Sequence, residues 1–130
     1  MHDGGTTSGS RAWLRDDAAL EVVYDGAVDA QVLTAVSGQA LALGQEHDVW
    51  HVLTDCSRMT SDPSVFSLYD LAALLAQLGV SQHYREAIVL PDDPVLREGF
   101  EFYENTMANR GLEVRCFRER AVAVAWLAGA

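Results

Sequence analysis

The sequence predicts a single α/β domain with a mostly parallel, mixed sheet of about five strands and four helices. Three observations support this prediction. Short apolar runs alternate with helical stripes, most of the runs are apolar along their whole length, and 130 residues suit one domain. No internal repeat or change of composition marks a linker, so residues 11–130 should form one unit. Residues 1–10, MHDGGTTSGS, are expected to be a disordered tail.

The elements follow from local patterns in chain order. Two short strands around a pair of aspartates are expected to form an N-terminal hairpin. An apolar stripe at helical spacing follows, and compact apolar runs such as VWHVLT and AIVL suit buried parallel strands. The expected strands are 11–15, 19–24, 49–54, 87–90 and 112–117, and the expected helices are 28–46, 62–79, 93–111 and 118–127.

Helix boundaries are indicated by capping residues. The two middle helices begin with the same Asp-Pro pair, at 62–63 and 93–94, in which the proline needs no amide donor and the aspartate accepts from free amides. Asp29 can cap the first helix in the same way. Gly79 and Gly111 stand where a left-handed residue would end a helix.

Charge and composition exclude several functions. The net charge is −10, all nine basic residues are arginines, and lysine is absent. Binding to duplex nucleic acid is therefore not expected, and phosphate-loop or Schiff-base lysine chemistry is excluded. No apolar run approaches the ~20 residues of a membrane span, and the start lacks a secretion signal, so a cytoplasmic protein is expected.

Open α/β sheets bind ligands outside the carboxyl ends of their strands. The residues expected there are Asp55, Cys56 and Ser57 after the central strand, Asp92 after the next strand, and Phe117 at the end of the last one. We expect them to form a loop region that contacts a ligand or a partner.

Metal binding is not predicted at these positions. Asp55 and Asp92 lack an evident third ligand, and an aspartate at a strand end commonly closes a loop through backbone amides. His47 and His51 are four residues apart, but VWHVLT is expected to be a strand, which removes the helical geometry of a zinc site. No metal and no cofactor are therefore expected.

Nucleophilic catalysis has candidates but no expected partner base. Ser57, Ser64, Cys56 and Cys116 could each attack a substrate, yet a nucleophile needs a base within hydrogen-bond reach. No histidine falls in an expected strand-end loop, and no nucleophile-elbow motif is present. The sequence thus assigns no catalytic residue. The two cysteines match no metal or redox spacing and are expected to be reduced.

Four segments, in this order and spacing, resemble the bacterial SpoIIAA-like branch of the STAS superfamily, which is often linked to CRAL-TRIO lipid-exchange domains. They are VLTDCSRM, AIVLPDDP, FYENTMANRGLEVRCF and RERAVAVAWL. The resemblance runs from about Ala19 to Leu127. It implies a small α/β fold with a mixed sheet and helices chiefly on one side. It also implies a regulatory or ligand-binding role without catalysis.

The same resemblance implies a phosphorylation site. STAS proteins that antagonise anti-sigma factors carry a phosphorylatable serine at the start of the helix after the central strand, usually in an Asp-Ser-Ser-Gly context. Here the segment reads Ser61-Asp62-Pro63-Ser64. Ser64 is the closest positional match and Ser61 the next, but the Ser-Ser-Gly core is missing. A phosphate near Ser64 would meet a favourable helix dipole and the unfavourable charge of Asp62.

Three functional hypotheses follow. The first is a non-enzymatic regulatory module of STAS type that acts on a protein partner or as a homodimer. The second is a carrier or sensor of a small apolar, lipid-like ligand held between the sheet and the helices. The third is a hydrolase that uses a strand-end serine or cysteine. The sequence names no partner, ligand or pathway.

Overall fold

The structure is a computed structural model that describes residues 9–15, 18–61 and 83–129. These residues form five strands and three helices. They are β1 (Arg11–Leu14), β2 (Leu20–Ala27), α1 (Ala30–His47), β3 (His51–Ser61), β4 (Arg85–Val89), α2 (Pro94–Asn109), β5 (Glu113–Phe117) and α3 (Arg120–Leu127). The expected helix at 62–79 lies outside the described residues, as do residues 1–8 of the expected tail.

The five strands form one mixed sheet whose order follows the chain, β1-β2-β3-β4-β5. Strand β1 is antiparallel to β2, and the other neighbours are parallel. The predicted N-terminal hairpin and the mostly parallel sheet are therefore confirmed. In the hairpin, the Arg15 N–H donates to the Ala19 carbonyl at 2.7 Å.

The helices cover opposite faces of the sheet. Helices α1 and α2 each connect two neighbouring parallel strands, so right-handed crossovers place these two helices on the same side. We call this side the α1/α2 face and the opposite side the α3 face. The α1/α2 face holds the larger core, which includes Leu20, Val22, Leu33, Val36, Cys56, Ile88, Phe100 and Met107. The α3 face holds Ala19, Leu53, Ala87, Val89, Ala123 and Leu127.

The helix boundaries follow the predicted caps. Asp29 Oδ1 accepts from the Val32 N–H at 2.9 Å, and Asp93 Oδ1 accepts from the Val95 N–H at 2.8 Å. Helix α2 ends before Gly111, whose φ of +80° is left-handed. The predictions for these two N-termini and for Gly111 are confirmed, whereas the Asp62-Pro63 start and Gly79 lie outside the described residues.

Strand β3 is longer than the sequence predicts. It runs from His51 to Ser61 and pairs with β4 only as far as Asp55, opposite Val89, while its pairing with β2 continues to Ser61. Between Asp55 and Arg58, β3 has one more residue than the β2 segment that it faces, which is a β-bulge. The prediction that Asp55, Cys56 and Ser57 form a loop is wrong, because the longer β2 provides hydrogen-bond partners beyond the end of β4.

None of the helices in the described ranges is long and apolar enough to cross a membrane.

Candidate functional site

Strand geometry separates the residues that the sequence grouped together. Cys56 points into the core of the α1/α2 face and is completely buried. Asp55 lies on the opposite face, and Ser57 is exposed in the bulge. The three residues are adjacent in sequence, but they do not form one surface.

Asp55 accepts hydrogen bonds from two residues on the α3 face. Ser57 donates its backbone N–H to Asp55 Oδ1 at 3.0 Å and its hydroxyl to the same oxygen at 2.6 Å. Arg120 Nη1 lies 2.9 Å from Oδ2. Burial alone raises the pKa of Asp55, but the bonds from Ser57 and the Arg120 guanidinium outweigh burial and hold the pKa below its ordinary value. Asp55 is therefore ionised at neutral pH.

Arg120 also binds Glu21, a buried acid at the beginning of β2. Its Nη1 lies 2.8 Å from Glu21 Oε2, and its Nη2 donates to Oε1 at 3.0 Å. Arg15 Nη1 donates to the same Oε1 at 2.7 Å. Glu21 is only 4% exposed, so a buried carboxylate is neutralised here by two guanidinium groups. We call Arg15, Glu21, Asp55 and Arg120 the Glu21 network.

Asp92 and Phe117 lie near the same end of the sheet. Asp55 is opposite Val89, and Val89 is opposite Phe117, so Asp55 and Phe117 lie in one row on the α3 face. The Phe117 ring packs 5.5 Å from the Trp126 ring, centroid to centroid. Asp92 is exposed. The structure thus brings Asp55, Ser57, Asp92 and Phe117 to the carboxyl edge, the end at which β2 to β5 finish, and excludes Cys56.

The candidate nucleophiles lie in unfavourable surroundings. Burial raises the pKa of both cysteine thiols, and nearby carboxylates raise it further. His51 begins β3, at the opposite end of the sheet from Asp55 and Ser57. Within residues 9–15, 18–61 and 83–129, no group of three potential metal ligands occurs. Ser64, the predicted phosphorylation site, lies outside the described residues.

A second candidate site lies on the α1/α2 face, between the sheet and the helices, where the carrier hypothesis expects a ligand but the sequence assigns no residues. It is a cavity of about 60 Å³ between the sheet and the two helices. Most of its walls are apolar or aromatic, and one part of them is polar. The described residues that line it are Leu20, Val22, Tyr24, Leu33, Ser37, Ala40, Leu41, Trp50, Val52, Thr54, Met59, Tyr84, Glu86, Ile88, Phe100 and Tyr103.

The polar part of the wall is centred on Glu86. Thr54 Oγ1 donates to Glu86 Oε2 at 2.5 Å, and the hydroxyls of Tyr84 and Tyr103 donate to Oε1 at 2.9 and 3.2 Å. Glu86 is 5% exposed. Burial raises the pKa of Glu86 above its ordinary value, and the three hydroxyl bonds offset only part of that effect. We call these four residues the Glu86 cluster.

The sequence contains a weak signal for this cluster. Strand β4 was expected at 87–90, which left Glu86 outside it, whereas the strand runs from Arg85 to Val89 and buries Glu86. Tyr103 was correctly placed in the apolar stripe of its helix. The pattern that could have indicated the site is an acid directly before an apolar strand, Glu86, with a tyrosine two residues earlier, Tyr84.

Two solved structures are similar to the chain over nearly its whole length. The anti-sigma factor antagonist SpoIIAA in its unphosphorylated form gives a TM-score of 0.62 and 13% sequence identity, over 94% of this chain and 100% of that one. An uncharacterised protein of the DUF3478 family with a SpoIIAA-like fold, from Shewanella loihica PV-4, gives 0.57 and 14%, over 98% of both chains. The chain has a SpoIIAA-like fold.

The SpoIIAA-like α/β fold predicted from the sequence resemblance is therefore confirmed, and the described residues contain three of the four expected helices. Identities of 13% and 14% establish the SpoIIAA-like fold and do not transfer the activity of either protein. No protein-family model and no curated protein sequence matches the chain. The function has to be argued from the sites themselves.

Proposed function

We propose that this chain is a cytoplasmic regulatory module of STAS type that acts through contacts with a protein and not by catalysis. The observation that carries the proposal is the SpoIIAA-like fold, which an anti-sigma factor antagonist shares over 94% of this chain. The surroundings of the candidate nucleophiles support it. The carboxylate that accepts the Ser57 hydroxyl, Asp55, has a lowered pKa and is therefore a weak base, and the pKa of both thiols is raised by burial. No observation on the described residues favours a hydrolase.

The carboxyl edge is the surface that we assign to the partner. Val95 and Val122 lie in the first turns of α2 and α3 at this edge, and they are 73% and 49% exposed. Polar residues of the predicted ligand or partner region, Ser57 and Asp92, lie at the same edge and are exposed. Exposed apolar side chains among polar ones are typical of a protein-binding surface.

Val95→Asp with Val122→Asp tests this surface without a large cost in folding, because an acid in the first turn of a helix is favourable. Leu14→Asp is the matched control, since Leu14 is 38% exposed at the opposite end of the sheet. Used as baits in host lysate, the wild type and the control should retain the same partner, and the double variant should retain at least tenfold less. Equal retention by all three baits would refute the assignment.

Self-association is the other form of this proposal. Light scattering on the purified chain would show whether a dimer forms. A dimer that the Val95→Asp, Val122→Asp double variant dissociates and Leu14→Asp does not would identify a second copy as the partner.

Phosphorylation of Ser64 is proposed as the regulatory input. Its support is the family resemblance at Ser61-Asp62-Pro63-Ser64. Incubation with host extract and labelled ATP should label the wild type and Ser57→Ala, whereas Ser64→Ala should lose most of the label. Undiminished labelling of Ser64→Ala would remove this residue as the site, and label lost in Ser61→Ala instead would move it there.

The second candidate function is the carrier or sensor of a small apolar, lipid-like ligand, and the cavity is where such a ligand would bind. Its volume of about 60 Å³ is less than half of the ~150 Å³ of an engineered cavity that binds benzene. The cavity therefore suits a molecule far smaller than a lipid. Native mass spectrometry of the protein from its own host should show no lipid-like adduct, and a stoichiometric lipid mass would restore the lipid-carrier hypothesis.

A further inference from the structure

Glu86 is a buried carboxylate that no cation of the described residues neutralises. The ion pairs of residues 9–15, 18–61 and 83–129 include the pair of arginines on Glu21 but none on Glu86. Residues 62–82, which lie outside the described residues, contain no lysine, arginine or histidine. Whatever the path of that segment, its side chains cannot supply a positive charge to Glu86.

The Glu86 cluster presents acceptors to the cavity. The hydroxyl groups of Thr54, Tyr84 and Tyr103 donate to the carboxylate, and the Tyr103 hydroxyl also contacts that of Tyr84, so the remaining lone pairs of the cluster are acceptors. A carboxylate offers about four acceptor positions, of which three are used here. A molecule that fits this wall must donate hydrogen bonds, and a positive charge would match the buried anion.

The remaining walls favour an organic cation over a hydrated metal ion. Tyr24, Trp50 and Phe100 supply aromatic surface, and Leu20, Val22 and Ile88 supply aliphatic surface. Aromatic faces attract ammonium groups through their quadrupole. The aliphatic surface would instead exclude the water shell that a small hard cation retains.

We infer that this cavity binds a small primary alkylammonium ion, with its ammonium group on the Glu86 cluster and its carbon chain against the aliphatic wall. The volume limits the ion to a few non-hydrogen atoms. The cavity lies on the α1/α2 face, and the described residues that line it include none of those assigned to the carboxyl edge.

Titration of the whole protein with n-propylammonium chloride tests the site, observed on labelled methyl groups of Leu20, Val22 and Ile88. Saturable shifts of these methyls are expected, with an affinity at least tenfold higher than for 1-propanol, which is a neutral donor of nearly the same size. Sodium chloride at equal concentration controls for ionic strength. Absence of saturable shifts, as for a cavity that holds only water, would overturn the inference, and so would equal affinity for 1-propanol.

Two variants distinguish the contribution of the Glu86 charge to binding from that of the cavity volume. Glu86→Gln keeps the shape and removes the charge, so the tenfold preference for n-propylammonium over 1-propanol should disappear. Ala40→Leu fills the cavity from α1 and leaves the Glu86 cluster intact, so both molecules should fail to bind. If Glu86→Gln does not fold, as judged by circular dichroism, Ala40→Leu decides the question: unchanged methyl shifts in that variant would place the ion elsewhere and overturn the inference.

Discussion

The two faces of the sheet each bury one glutamate, and they neutralise it by different means. Glu21, on the α3 face, is bound by the guanidinium groups of Arg15 and Arg120. Glu86, on the α1/α2 face, is bound by three hydroxyl groups and no arginine of the described residues. A guanidinium group supplies an opposite charge, whereas a hydroxyl group supplies only a dipole. The first arrangement pairs the acid with two cations, and the second leaves it without a cation among the described residues.

The largest effect is expected from removing hydroxyl donors at Glu86. Tyr84→Phe with Tyr103→Phe should lower the free energy of unfolding by about 3 kcal/mol, because hydrogen bonds to a buried charge contribute more than neutral ones. Tyr24→Phe is the matched control: its hydroxyl bonds neutral Ser37, and it should cost about 1 kcal/mol. Urea denaturation measures both. If each removed hydroxyl lowered the free energy of unfolding by the same amount, the bonds to Glu86 would be no stronger than a bond between neutral groups.

A smaller loss is expected at Glu21, because Arg15 remains when Arg120 is removed. Arg120→Met should cost about 2 kcal/mol, less than a fully buried pair because the Arg120 side chain is 44% exposed. Arg58→Met removes an ion pair whose arginine is 75% exposed, and it should cost less than about 0.5 kcal/mol. Thermal unfolding of both variants gives the comparison, and similar costs would mean that Glu21 is solvated despite its burial.

The pH dependence of stability should have opposite signs at Glu86 and Asp55. The folded pKa of Glu86 is raised, so its contribution is fully present below the ordinary value of 4.5 and is lost as pH rises through the folded pKa. The folded pKa of Asp55 is lowered, so its contribution is present above 3.8 and is lost as pH falls through the folded pKa.

Glu86→Gln should therefore become less destabilising, relative to wild type, as pH rises, and Asp55→Asn should become more destabilising. Denaturation curves between pH 3 and pH 8 would measure both slopes. Parallel slopes for the two variants would contradict the assignment of the two carboxyl environments.

The smallest effect is expected at Ser57. Ser57→Ala removes the 2.6 Å bond from its hydroxyl to Asp55 but keeps the 3.0 Å bond from its backbone N–H. Because the serine is exposed, the loss should be about 0.5 kcal/mol. Chemical denaturation would detect it, and a loss as large as that of Arg120→Met would make Ser57 an equal member of the Glu21 network.

Much of the architecture is predictable from local sequence. The caps at Asp29 and Asp93 and the left-handed Gly111 set helix ends through interactions within a few residues. The length of β3 is not predictable in the same way. Its continuation depends on β2, a distant strand, and the bulge at Cys56 and Ser57 breaks the alternation by which a strand is recognised.

The two buried glutamates illustrate the same limit for the candidate sites. Glu21 lies in LEVVY and Glu86 in REAIV, and both segments are strands. A strand pattern shows which residues share a face but not what lies across from them. Arg120 is 99 residues from Glu21, and Tyr103 is 17 residues from Glu86. Contacts between distant segments depend on the tertiary structure, so the sequence could at most mark Glu86 as an acid beside a buried strand and could not reveal the partners of either glutamate.

The strand order also has a consequence for how the chain assembles during synthesis. Because order in space equals order along the chain, each new strand can dock beside one that has already emerged from the ribosome. The bonds of the last helix to earlier strands are different, and among the described residues the bond from Arg120 to Glu21 in the second strand spans the longest stretch of chain. The strands of the nascent domain can thus pair in the order of their synthesis, but the bond between Arg120 and Glu21 forms only after the C-terminal helix has been synthesised.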